Sequence, residues 1–304
     1  MKNTIKIIAI LLLYFVCVNV YAHSPNKVFK LVKDSLPNYL GSEWKFNHND
    51  SMDFNAIDYN DNHWIFTNSD LRDYDFFIKH FKGIAWFRYT FRIDSTLKNI
   101  PLSISLQHFG ASEIYLDNKL IQKFGQIKDS SNSIYFHPQE TPVIFELDDT
   151  GVHVFAVRYA NFDALSNVNK DNYNFSGFNF TISTSVHGIY HKIDTATTST
   201  FISVLLFTIF LLLGLIHLFL FLFDRKTIYN LYLCVFMFSI SYAFFLLFNY
   251  FNSSSPTSII IQINTLKYVL IVGFFMLSLF LNKIFSFRNK KRFYSLISLA
   301  VITI

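Results

Sequence analysis

Hydrophobicity along this chain changes character near residue 200. Beyond that point, Phe201–Phe223, Ile228–Phe251 and Leu266–Phe285 are almost unbroken apolar runs. At ~1.5 Å per residue, each is long enough to cross a ~30 Å hydrocarbon core as a helix. A further apolar stretch opens at Phe293 and meets the last residue, Ile304, before it is long enough to span. The chain therefore reads as a fragment, with a fourth helix and an output module expected beyond it.

Ahead of residue 200 the pattern is period 2, the mark of strands with one buried face. Phe87, Tyr89, Phe91 and Ile93 share one face, with Arg88, Thr90 and Arg92 on the other. Leu102, Ile104 and Leu106 alternate with Ser103, Ser105 and Gln107, and Phe178, Phe180 and Ile182 with Asn179, Thr181 and Ser183. Around Val154 and Ala156 the alternate positions His153, Phe155 and Val157 are also largely apolar, which predicts a strand buried on both faces. Gly110, Asp117-Asn118 and Asp149-Thr150-Gly151 supply turn chemistry between the runs. Six to nine short strands with little helix predict an antiparallel β-sandwich.

Charge follows the same division. The net +5 splits unevenly: residues 23–197 hold 16 Lys/Arg and 20 Asp/Glu, while residues 198–304 hold 8 Lys/Arg against Asp224 alone. The basic excess belongs to the helical part, so it is a topology signal and excludes a nucleic-acid footprint. Arg225 and Lys226 occupy the first inter-helix loop. Lys283, Arg288, Lys290, Lys291 and Arg292 follow the third run, and the loop 252–257 between them is uncharged. By the positive-inside rule the β domain is outside and the three helices run inward, outward and inward. At the N-terminus Lys2 and Lys6 precede an apolar Ile7–Val18 and a Val20-Tyr21-Ala22 site, which predicts a secretory leader cleaved after Ala22. The two cysteines, Cys17 and Cys234, fall in the leader and the second run, so no disulfide staples the exported domain.

Three segments carry a family resemblance. They are Gly83-Ile84-Ala85-Trp86-Phe87-Arg88, Gly110-Ala111-Ser112-Glu113-Ile114-Tyr115-Leu116-Asp117-Asn118-Lys119 and Val154-Phe155-Ala156-Val157-Arg158-Tyr159. With the Asp58–Trp64 entry string, they resemble the galactose-binding-like jelly roll, the sugar-binding module beside catalytic domains in β-galactosidase-type hydrolases. Together with the apolar runs, the chain is similar to bacterial seven-transmembrane receptors with diverse intracellular signalling modules. The resemblance implies a leader (1–22), a periplasmic all-β jelly-roll sandwich (23–192) and an α-helical transmembrane bundle (193–304) in the inner membrane. It further implies sensing of a carbohydrate-like ligand or envelope partner on behalf of a cytoplasmic kinase, phosphatase or cyclase. The alternative is a membrane-tethered carbohydrate-binding module without output. A carbohydrate or envelope ligand, the lipid bilayer and a second copy in a homodimer are the partners considered, with no cofactor.

A sugar site needs aromatic rings for apolar sugar faces and polar neighbours for hydroxyls. Trp44, Trp64, Trp86, His108, Tyr159 and Asn161 are the candidate ligand-binding residues, with core or rim packing as the competing role for the tryptophans. Asp58, Asn60 and Asn62 imitate a calcium loop, but His63 and Ser69 stand where Gly and Glu are required, so no metal is assigned. His187 and His191 share a face if their segment is helical, a spacing that ten scattered histidines produce by chance. No Gly-x-Ser-x-Gly elbow, phosphate-cradling glycine loop or His-Glu-x-x-His run is present, and catalysis within the chain is not expected. In the apolar runs His217 stands out as an ionisable group, Lys267 is placed to snorkel outward, and Gly214, Asn230, Ser239 and Ser241 suit helix contacts. The Thr/Ser-rich link 187–200 has one glycine, Gly188, and is expected to be ordered.

Overall fold

The computed structural model describes residues 28–128, 132–166 and 176–285. The expected leader with Cys17, and the apolar stretch from 293, lie outside the described residues. Within them, two β-sheets face each other, and three long helices follow.

The larger sheet runs β4 (Ile65–Thr67), β3 (Trp44–Asn47), β5 (Ile84–Ile93), β10 (His153–Ala160), β7 (Ala111–Leu116) and β8 (Lys119–Phe124). β1 (Phe29–Leu31) adds in parallel to the far end of β5, pairing Phe29 with Phe91. The smaller sheet runs β2 (Asn38–Tyr39), β11 (Phe178–Thr184), β6 (Leu102–His108) and β9 (Val143–Phe145). Every pairing other than β1 with β5 is antiparallel. Eleven strands replace the six to nine expected, because β1, β2, β4 and β9 are two or three residues long. Pieces that short carry no alternation signal.

The predicted inner faces do meet. Phe87, Tyr89 and Phe91, with Phe155, Val157 and Tyr159, pack against Leu102, Ile104 and Leu106 and against Phe178, Phe180 and Ile182. Phe91 stacks on Phe155 at 4.8 Å, and the Trp44 ring lies 5.2 Å from Tyr89, Phe178 and Phe180. Aromatic pairs of this kind add ~0.5–1.5 kcal/mol each beyond their burial. Burial of β10 on both faces is as expected: His153, Val154, Phe155, Ala156 and Val157 are all buried.

The outer face of the larger sheet departs from simple alternation. Arg88, placed by its period on a polar face, is only 2% exposed. The segment 48–64 folds across this face, and Phe54, Trp64, Trp86, Tyr115 and Ala156 form a second apolar cluster beneath it. Arg88 Nε donates to Asp61 Oδ2 at 2.8 Å and Nη1 to the Phe54 and Ala56 carbonyls at 2.7 and 2.9 Å, while Lys45 bonds the other Asp61 oxygen. A buried charge with this many partners is tolerated, and removing its partners is costly.

The helices are Ser185–Phe223, Ile228–Asn252 and Pro256–Phe285, each long and apolar enough to cross a membrane. Two extend past the expected spans. The first begins directly after β11, where Thr184 Oγ1 accepts from His187 N at 3.3 Å as an N-cap. The third begins at Pro256, a residue suited to a first helical turn; Gln262, Asn264 and Thr265 interrupt hydropathy without interrupting the helix. Side chains flagged for helix contact make them: Ser241 Oγ donates to Phe207 O at 2.9 Å, and His217 Nδ1 to Asn230 Oδ1 at 3.2 Å. Gly214 lies so close to Phe238 that an added Cβ would sit 2.5 Å from its ring.

Replacing Arg88 by Ala should lower stability by about 3–5 kcal/mol, because Asp61 and two buried carbonyls lose their donor. Arg88→Met keeps the packing volume and should cost less. Denaturant unfolding of the intact protein in detergent, followed by tryptophan fluorescence, measures both. Equal losses for the two variants would mean that pairing alone, and not packing, is what Arg88 supplies.

Candidate functional site

All six candidate ligand residues are buried. Trp44 lies in the main core, its Nε1 donating to Leu40 O at 2.7 Å. Trp64 and Trp86 belong to the second cluster, where Trp86 stacks on Tyr115 at 5.6 Å and donates to Asp50 Oδ1 at 2.8 Å. The structure does bring three together: the His108 and Tyr159 rings are 5.7 Å apart, and Asn161 Nδ2 donates to Tyr159 Oη at 3.1 Å. Asn161 Oδ1 also accepts from Ala164 N at 3.1 Å, ordering the turn after β10. The tryptophans thus take the packing role that competed with ligand binding.

Of the six, only His108 lines a partly open cavity of about 240 Å³. This cavity sits where the sandwich meets the helices. Its walls come from β6 and β11 (Gln107, Asn179), the 137–140 loop, Asp70 and Arg72, the first helix (Lys192, Thr195) and the near ends of the other two (Tyr250, Ile259). Gln107 and Asn179 are register partners across β6 and β11, and both occupy the polar, outward positions of their strands. Alternation had marked these two as polar, but not that a helix would cover them.

Close packing at one end builds the junction. An added Cβ on Gly188 would lie 2.3 Å from Ser103 Oγ, so the helix backbone rests on the small side chains Ser103 and Ser183. These serines are 3.0 Å apart and buried. At the other end the 137–140 loop ties the two modules together. His137 N donates to Ser254 O at 2.8 Å, Gln139 Nε2 bonds Ser253 O, and Lys192 Nζ donates to Gln139 O at 2.6 Å. Glu140 pairs with Gln107 and lies 3.5 Å from His191 Nδ1, while Arg72 pairs with Asp70 at 3.0 Å.

Burial holds His137 down to about 4 and His108 to about 3. Both rings are therefore neutral at ordinary pH, consistent with His137 Nδ1 accepting from Gln139 N at 3.0 Å. His153 moves the other way, raised chiefly by its 2.7 Å hydrogen bond to Asp117. Elsewhere, Arg158 joins Asp50 and Glu113 on the outer face of the larger sheet. Burial works to raise both carboxyls, but hydrogen bonds from Arg158, with Trp86 for Asp50 and Lys123 for Glu113, leave them lowered. Among the described residues no cluster of three His, Cys, Asp or Glu is arranged to hold a metal ion.

No family model and no curated protein matches the chain. Similar solved structures include a Bacteroides uniformis β-glucuronidase (16% identity, 48% of this chain, 17% of that one, TM-score 0.33). A Bacteroides vulgatus β-glycosidase (19% identity, 48% and 20%, 0.32) and a Ruminococcus gnavus β-glucuronidase (15%, 49% and 29%, 0.32) are others. The chain spans less than a third of the length of each. The expectation that catalysis is absent from the chain is corrected by these neighbours, since the proteins it resembles are glycoside hydrolases. At this identity and coverage, the likeness assigns no activity either.

The two neutral histidines set the sign of a pH effect. Their ordinary pKa is ~6.5 in an unfolded chain, so as pH falls the unfolded state takes up protons first. The stability they permit is complete above ~6.5 and is lost as pH falls toward 4 and below. His153 contributes oppositely, its share being lost as pH rises through its folded value. Thermal unfolding of wild type and His137→Asn between pH 7.5 and 4.5 should show a shallower acid decline in the variant. Parallel profiles would remove His137 from the account.

Proposed function

We propose that this chain is the sensing, membrane-spanning part of a bacterial envelope receptor. In this reading the sandwich is a galactose-binding-like jelly roll in the periplasm. The three helices belong to an inner-membrane bundle, oriented with Arg225, Lys226 and Lys283 inside, and a cytoplasmic module delivers the output. The observation that carries the proposal is the unbroken helix Ser185–Phe223. It starts at the end of β11, rests on the smaller sheet at Gly188 and continues as the first span.

A continuous helix changes what a membrane anchor can do. A flexible linker would absorb any movement of the sandwich, whereas a helix joined to a strand and seated on its sheet moves with that sheet. The 137–140 loop adds a second connection, because its bonds to Ser253 and Ser254 reach the turn between the second and third helices. Two attachments to different helices allow a shift of the sandwich to change how the helices sit relative to one another. Shifts of about 1–2 Å at such interfaces are the usual scale of switching.

The competing reading, a tethered carbohydrate-binding module, requires anchorage only. The two separate in a distance measurement. With nitroxide labels on Arg225→Cys and Lys283→Cys in a Cys234→Ser background in nanodiscs, Gly188→Leu should wedge the helix from the sheet and alter the label separation. A surface change remote from the junction, Leu120→Lys, should leave it as in the parent. An identical distance distribution in Gly188→Leu, with the sandwich still folded by circular dichroism, would favour the tether.

A further inference from the structure

The junction cavity has a chemistry of its own. Its volume, about 240 Å³, equals that of about eight water molecules in the liquid, each taking ~30 Å³. At protein packing density that is room for roughly a dozen non-hydrogen atoms. Charge in the lining balances: Asp70 and Glu140 face Arg72 and Lys192, and burial keeps His108 and His137 neutral. A ligand with a full charge of either sign would leave one wall unpaired on binding, which costs more than an uncharged ligand would.

Hydrogen-bonding capacity remains open in the same walls. Lys192 commits one donor to Gln139 O, leaving two of its three. Asn179 accepts from Tyr39 Oη at 2.9 Å, and its amide N–H groups have no partner among the described residues. Gln107 donates to Glu140, and its carbonyl oxygen has no partner among the described residues. Donors and acceptors thus stand side by side, an arrangement that suits hydroxyl groups, which do both. Tyr250, Phe251 and Ile259 supply apolar surface to the same space.

We infer that the junction cavity binds a small neutral polyhydroxylated molecule, the size of one sugar ring, against Gln107, Asn179 and Lys192. The site lies on the outward face of the smaller sheet, away from the buried tryptophans and from Asn161. Its walls belong to the sandwich and to all three helices, so occupancy bears on how these parts are held. That consequence rests on the receptor reading, whereas the ligand chemistry does not.

Calorimetric titration of the full chain in nanodiscs is the test. The probes are D-glucose, D-galactose and N-acetyl-D-glucosamine, with D-galacturonate and D-glucosamine as charged counterparts. At least one neutral sugar should bind at one site per chain, tighter than both charged probes. Asn179→Ala should weaken that binding about tenfold with unfolding temperature unchanged, the size of one or two lost hydrogen bonds. If Asn179→Ala does not fold, Lys192→Met serves in its place. No binding by any neutral sugar, equal or tighter binding of a charged probe, or an unchanged affinity in the folded variant would each overturn the inference. The receptor reading fails separately: sugar that binds but leaves the Arg225–Lys283 label distance unaltered at saturation would sink the coupling and keep the site.

Discussion

The arrangement of this molecule depends on one close contact, the seat of the first long helix on the smaller sheet. A sheet edge or face with large side chains would hold a helix off by ~10 Å, the ordinary layer spacing. Here the outward residues of β6 and β11 at the contact are Ser103 and Ser183, and the helix offers Gly188, so backbone and sheet approach closely. Further along the same two strands the outward residues lengthen to Gln107 and Asn179, and the helix presents Lys192 and Thr195. The cavity lies among these longer side chains. Small residues at one end and long polar ones at the other thus produce both a rigid joint and a space.

The larger sheet solves a different problem. Its inner face completes the aromatic core, while its outer face carries Trp86, Arg88, Tyr115 and Arg158. An arginine so placed is stable only if something polar covers it. The 48–64 segment does this with Asp61 and two backbone carbonyls, and Asp50 of the same segment holds Trp86 and Arg158. Pairing of this kind contributes little net stability over an apolar alternative, yet it fixes where the covering segment lies.

Much of this was legible in the sequence. Period-2 alternation located β5, β6, β10 and β11 and their inner faces, and the uninterrupted hydropathy located the three helices. Isolated polar residues in those runs, Asn230, Ser241 and His217, pointed to the helix contacts they make. The proposed site was not legible in the same way. Aromatic residues near strand ends drew attention because sugar sites use rings, but in this chain, with 37 Phe, 17 Tyr and 3 Trp, most rings are needed to fill a core. The neighbours Asp70 and Arg72 are far in sequence from Gln107, Asn179, Lys192 and Tyr250, and each is individually ordinary. Only the register of β6 with β11, and the helix lying over them, assembles them. The helical state of 185–200 was concealed by its Thr and Ser content, which lowers helix propensity until tertiary packing overrides it.

On the receptor reading proposed here, the junction does more than anchor. A tether needs one span and a linker of any stiffness, whereas here all three helices reach the sandwich, and the first helix and the turn between the other two are hydrogen-bonded to it. The bonds from His137 and Gln139 to Ser254 and Ser253 engage main-chain carbonyls at a helix end, groups that would otherwise be satisfied by water. Replacing water there with a loop of the sandwich gains little energy per bond, ~1 kcal/mol. A joint built from a few such bonds is weak enough to be shifted by a ligand of modest affinity and specific enough to have a defined geometry. On that reading, a stiff helix on one side of the cavity and a loop contact of a few bonds on the other would suit a population shift between two packings.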